Sequence, residues 1–203
     1  MHHSQIHQEP QGALPLGHHL QNLLDDDDRQ SLLMGELVDA IDGKSFGLLL
    51  ILLSLPSAIP IPAVGYSTPF GICIAVIAIQ MLVGRNRAAL PKWMRKISLP
   101  LKITRKMSQF ALSFLKKTEK VIKPRLTWMH KKTGHSLLSI TVLTMACLMM
   151  IPIPGTNTLP AMAIFVVGVS ISEEDGLIAF AAILISLAAA ISTGALFYTL
   201  LNG

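Results

Sequence analysis

This 203-residue chain is expected to be an all-α membrane protein, and three features point that way. Charge is scarce: 14% of residues are charged and 51% are hydrophobic, whereas soluble domains carry about 25% charged residues. The charge is also segregated, which leaves long stretches with none. Finally, the apolar stretches are interrupted twice by the same run, Ile59-Pro60-Ile61-Pro62 and Ile151-Pro152-Ile153-Pro154. The expected architecture is two Pro-broken helical hairpins forming an internal repeat, an interfacial basic amphipathic helix and a C-terminal transmembrane helix. All would belong to a single membrane domain over residues 31–203.

The elements follow in chain order. Residues 1–30 are polar, with His2, His3, His7, His18 and His19 and the acidic run Asp25 to Asp28. They read as a disordered cytoplasmic tail, and the histidine spacing suggests no rigid ligand set. No apolar stretch behind a positive start marks a secretory leader. Ser31 to Asp42 reads as a short amphipathic helix on the membrane surface. Leu33, Leu37, Val38 and Ile41 share a face, Ser31 can cap the start, and Gly43 can end it.

Five oily segments follow: Phe46–Ile59, Pro69–Gly84, Ser136–Ile151, Leu159–Ile171 and Gly176–Leu201. As helices the first four reach only roughly 20–24 Å, short of a hydrocarbon core about 30 Å thick. They pair as hairpins over 46–84 and 136–172. Two readings stay open. Either these are ordinary hairpins with Pro-rich turns at the far interface, or the breaks are re-entrant and buried. Proline lacks a backbone donor and frees a carbonyl one turn earlier. A break at membrane depth must therefore face protein or a wet cavity.

The halves match beyond their prolines. Gly65, Tyr66, Ser67 and Thr68 follow the first break, and Gly155, Thr156, Asn157 and Thr158 follow the second. Each apolar run restarts near a proline, Pro69 or Pro160. Repeated interrupted helices are how many transporters build a midplane site. The candidate polar site is therefore Ser67, Thr68, Gln80, Thr156, Asn157 and Thr158, with helix breaks at Pro60, Pro62, Pro152 and Pro154. Gln80 stands in an apolar run and needs a partner, in a pocket or on another helix. Ile59–Thr68 and Ile151–Thr158 are expected to meet, so that each supplies donors for the other's freed carbonyls. Asn157 is the best single candidate.

Residues 85–135 form a basic region, expected to be cytoplasmic. Fifteen Lys and Arg lie between Arg85 and Lys132, opposed only by Glu119. Ser98 can cap a helix with Pro100 at its first position and Pro124 at its end. In it Ile103, Met107, Phe110 and Phe114 would face acyl chains, and Lys102, Arg105, Lys106, Lys116 and Lys117 the headgroups of anionic membrane lipids. Because the block is flanked by membrane segments, no nucleic-acid partner is expected. In the last segment Ala182, Ser186, Ala190 and Gly194 recur at steps of four, a ridge that lets another helix approach closely. Oligomeric state is left open. Glu173, Glu174 and Asp175 read as a solvated loop, and Cys73 and Cys147 as free apolar residues.

No nucleotide loop, intramembrane carboxylate pair or nucleophile–base pair is present, so no enzyme activity and no cofactor or metal are expected. The stretches GELVDAIDGKSFGLLLILLSLPSAIPIP, AIQMLVGR and IPIPGTNTLPAMAI resemble the ExoD exopolysaccharide-synthesis family, from about Ser31 to Leu201. That resemblance implies a multi-pass protein of the bacterial inner membrane linked to exopolysaccharide production. It supplies no reaction and no catalytic residue. Two functions remain in play: a small transporter or lipid-handling protein with its polar site at the breaks, or a non-transporting adaptor for polysaccharide synthesis proteins.

Overall fold

The computed structural model describes residues 31–40, 46–58, 67–85, 88–100, 132–151 and 156–202. Among these are two short strands, β1 (Ser31–Leu33) and β2 (Ser98–Pro100), and seven helices. The helices are α1 (Met34–Ala40), α2 (Phe46–Ala58), α3 (Ser67–Leu82), α4 (Lys92–Arg95), α5 (Lys132–Met150), α6 (Thr158–Ser172) and α7 (Gly176–Asn202). The histidine-rich tail, the four break prolines and the expected basic amphipathic helix lie outside the described residues.

The apolar segments became helices close to the expected bounds. The exception is α5, which begins at Lys132 rather than Ser136. The additional turn brings it to 19 residues, about 28 Å. Among the described residues two helices, α5 and α7, are long and apolar enough to cross a membrane.

The helices pack in a crossed pattern. The largest interfaces are α2 on α6 and α3 on α5, with α7 laid against α6. The first helix of each apolar pair thus packs on the second helix of the other. Glycines allow these contacts. A Cβ on Gly47 would lie 2.6 Å from the Gly168 carbonyl oxygen, and one on Gly168 would lie 2.9 Å from the Ile51 nitrogen. Only backbones without side chains can come this close. A Cβ on Gly71 would meet the Ala146 oxygen at 3.3 Å, a looser approach.

α2 forms the centre of the core. It is apolar all round, as a helix enclosed on every side must be, and Leu49 through Leu53 are buried throughout. α7 is also apolar all round but buries only a narrow stripe. That stripe is Ala179, Ala182, Ser186, Ala189 and Thr193, at alternating steps of three and four. The expected ridge is therefore shifted: Ala182 and Ser186 belong to it, while Gly194 meets nothing within 4 Å. The rest of α7 exposes Phe180, Leu184, Leu187, Ile191 and Phe197.

Two elements before and after the first apolar pair differ from the sequence reading. Ser31 does not cap a helix. It pairs with Pro100 in an antiparallel ladder, Leu33 pairs with Ser98, and Met34 N–H donates to the Ile97 carbonyl at 2.9 Å. The helix starts at Met34, with the Glu36 carboxylate reaching back to Leu33 N–H at 2.9 Å, half of a capping box. Ser98, likewise, sits in β2 and not at a helix start.

Candidate functional site

The residues proposed from sequence fall at two ends of α3. Thr68 is half-buried at its first turn. Gln80 is twelve residues on, a rise of about 18 Å, and so does not join Thr68 in one pocket. Gln80 makes neither a helix–helix bond nor a bond at the breaks. Its Nε2 donates to the Ala89 carbonyl at 2.7 Å, and its Oε1 accepts from Ala89 N–H at 2.7 Å. Both halves of the amide are spent on one residue of the following loop. This satisfies a buried polar side chain and fastens Ala88 and Leu90, themselves buried, under the end of the helix.

At the other end, Gly71 lies against Ala146, Met149 and Met150. The first turns after one break therefore touch the last turns before the other. Thr156 is buried, and Asn157 and Thr158 are half-buried where α6 begins. Asn157 occupies the cap position in helical conformation, φ −74° and ψ −22°, and makes no side-chain cap. Its Oδ1 is buried and, among the described residues, has no hydrogen-bond partner. Such an acceptor costs about 1–3 kcal/mol. The buried hydroxyls elsewhere are mostly consumed within their own helices. Ser54 donates to Ile51, Ser139 to His135, Ser170 to Val167 and Ser186 to Ala182. Ser172 Oγ, against the Gly47 crossing, is the other buried oxygen without a partner among the described residues.

The acidic cluster after α6 is not simply a solvated loop. Asp175 is buried, and its Oδ1 accepts from Leu177 N–H at 2.8 Å, capping α7. An Asp directly before Gly176 and a long apolar run is an N-cap signal that sequence reasoning passed over. On the basic side, the Arg95 guanidinium forks onto Asp39, one bond at 3.1 Å and the other Nη2 to Oδ2. Asp39 raises Arg95 above its ordinary range, first through the hydrogen bonds and then through charge. Gly35 gives Arg95 room to cross, since a Cβ there would sit 3.0 Å from the Arg95 Cβ. The pair ties α1 to α4, though surface pairs of this kind contribute little.

A cleft of about 500 Å³ opens where α3 meets its clamped loop, walled by Val76, Ile79, Gln80, Val83, Leu90 and Pro91, with Arg85 also lining it. Among the described residues no group of three His, Cys, Asp or Glu could hold a metal ion. Cys73 and Cys147 are free thiols.

The described residues form an apolar helical bundle, and two of its helices have the length and hydropathy that membrane association requires. The family model for exopolysaccharide synthesis, ExoD, matches residues 16–195. The chain belongs to the ExoD family. It is 43% identical over 161 residues to an uncharacterised protein of Synechocystis sp., covering 79% of this chain and 76% of that one. It is 32% identical over 157 residues to Protein ExoD of Rhizobium meliloti, covering 72% of this chain and 62% of the rhizobial protein. No solved structure matches.

Proposed function

We propose that this chain is a multi-pass component of the bacterial inner membrane that serves exopolysaccharide synthesis without catalysing a reaction. In this reading it handles a polar or lipid-linked intermediate at the end of the bundle where α3 and α6 begin. The observation that carries the reading is the orphaned Asn157 Oδ1, at the start of α6 beside buried Thr156. A buried acceptor with no partner among the described residues supports a site that takes a donor from a bound molecule. The contact of Gly71 with Met149 and Met150 supports bringing the two breaks together. The crossed packing of α2 on α6 and α3 on α5 supports an internal duplication, the plan on which many carriers build their sites.

The second reading is an adaptor that holds polysaccharide synthesis proteins through its basic cytoplasmic region. The densely packed α2 core and the absence of charged side chains inside the described apolar helices favour it, since ion-coupled carriers often place one there. Exopolysaccharide output in a deletion strain complemented with variants separates the two. With membrane abundance matched, Asn157→Leu should abolish output, while reversing the charge of Lys116, Lys117 and Lys120 should leave it largely intact. The opposite pattern would favour the adaptor.

A further inference from the structure

The cleft at the far end of α3 lies outside the break site and has its own chemistry. Its walls are apolar: Val76, Ile79 and Val83 from the helix, Leu90 and Pro91 from the loop. Its one internal polar side chain, Gln80, has both amide groups engaged with Ala89. What remains for a ligand is an oily slot and one cation. That cation, Arg85, is exposed and has no side-chain bond among the described residues, its backbone N–H going to the Gln80 carbonyl at 3.0 Å.

We propose that this cleft binds one anionic phospholipid, with the phosphate on Arg85 and an acyl chain along Val76, Ile79 and Val83. Charge complementarity argues for that occupant. Arg85 presents a planar fork suited to phosphate oxygens. The adjoining α4 adds exposed Lys92 and Lys96, and the whole chain carries +5. The apolar wall runs out onto exposed Ile79, Leu82 and Val83, so a lipid can enter sideways from an acyl layer. Trp93 on α4, two residues after Pro91 of the cleft wall, is 59% exposed, as an aromatic side chain at a membrane interface would be. About 500 Å³ falls within the range of small-molecule sites. A free phosphate ion would gain nothing from the oily walls. The site rests on the membrane reading of the chain and is independent of transport or scaffolding.

Native mass spectrometry of the full chain in neutral detergent tests it, after incubation with phosphatidylglycerol or phosphatidylcholine. The intact chain should retain one phosphatidylglycerol in preference to phosphatidylcholine. Arg85→Ala should lower phosphatidylglycerol retention about fivefold, the contribution of one basic residue near an anionic surface, and leave phosphatidylcholine unchanged. Ile79→Trp, which fills the slot, should lower retention of both. Circular dichroism confirms that each variant keeps its helices. The site is wrong if Arg85→Ala retains phosphatidylglycerol like the intact chain. It is also wrong if millimolar inorganic phosphate displaces the lipid. Carbonate washing of cell membranes separates the failures. A chain released by the wash defeats the membrane reading, whereas one that stays yet retains no lipid defeats only the site.

Discussion

The C-terminal ends of α3 and α6 lie ninety positions apart and share one backbone turn. In α3, Arg85 N–H reaches the Gln80 carbonyl at 3.0 Å across Gly84, whose φ is +76°. In α6, Asp175 N–H reaches the Ser170 carbonyl at 3.1 Å across Glu174, whose φ is +53°. Both are Schellman turns, which close a helix by a bond spanning the left-handed residue. The residues filling the turn differ. The first half places Gln80 where it clamps a loop, and Arg85 at the mouth of a cleft. The second places Ser170, bonded within its own helix, and Asp175, which caps the next helix. One backbone solution thus ends in a ligand-sized cleft in one half and in a direct hand-off to α7 in the other. The difference teaches that these two helix ends share a common local frame while their exits are specialised.

The crossings give the sharpest test of that common frame. Gly168→Ala or Gly47→Ala should destabilise by about 3 kcal/mol, the upper part of the overpacking range, because the obstructing atoms are backbone. Gly71→Ala, facing the corresponding α3–α5 interface with a gap of 3.3 Å to its nearest neighbours, should cost under about 1 kcal/mol. Thermal melts in detergent measure both. Equal costs at the two crossings would mean that they are not differently tight.

Next in size is the Gln80 clamp. Gln80→Leu leaves the Ala89 N–H and carbonyl without their partner and should cost about 1–3 kcal/mol. Hydrogen exchange should rise at Ala88 to Leu90 and stay unchanged at the end of α6. A uniform rise across the bundle would show that the clamp is not local. Asp175→Ala should cost about 1 kcal/mol, the usual loss of an N-cap, with faster exchange confined to the first turn of α7.

These contrasts also mark what the sequence made legible. The apolar runs located the helices because a run of Leu and Ile without charge has no other stable state in a bundle. The packing partners were not legible, because α2 and α6 are apolar on every side and offer no stripe to read. The buried stripe of α7 alternates steps of three and four, and small residues at 182, 186, 190 and 194 imitated it for only two positions. Gln80 was marked correctly as needing a partner. The partner is a backbone nine residues away in a loop, which no periodicity encodes. The strands β1 and β2 are three residues each, too short to alternate. Of the candidate polar site, Asn157 stood out by type alone; its orphaned oxygen is a property of the packed fold.

The smallest expected effect bears most directly on the shared turn. A residue other than glycine in the left-handed region pays roughly 1–2 kcal/mol for its Cβ, and Glu174 sits there while Gly84 occupies the matching place. If both turns are the same device, exchanging their residues should act in opposite directions. Gly84→Ala should destabilise by about 1 kcal/mol, because no neighbour lies within 4 Å of its Cβ and the cost is conformational alone. Glu174→Gly should stabilise by under about 1 kcal/mol, since relief of the strain is partly offset by the greater freedom of glycine in the unfolded chain and by loss of the side chain's own contacts. Differential melts of the two variants, run in one detergent, read the sign directly. Opposite signs fit one turn used twice. If Glu174→Gly destabilises as well, the glutamate side chain holds the hand-off to α7, and the two ends share a shape without sharing a role.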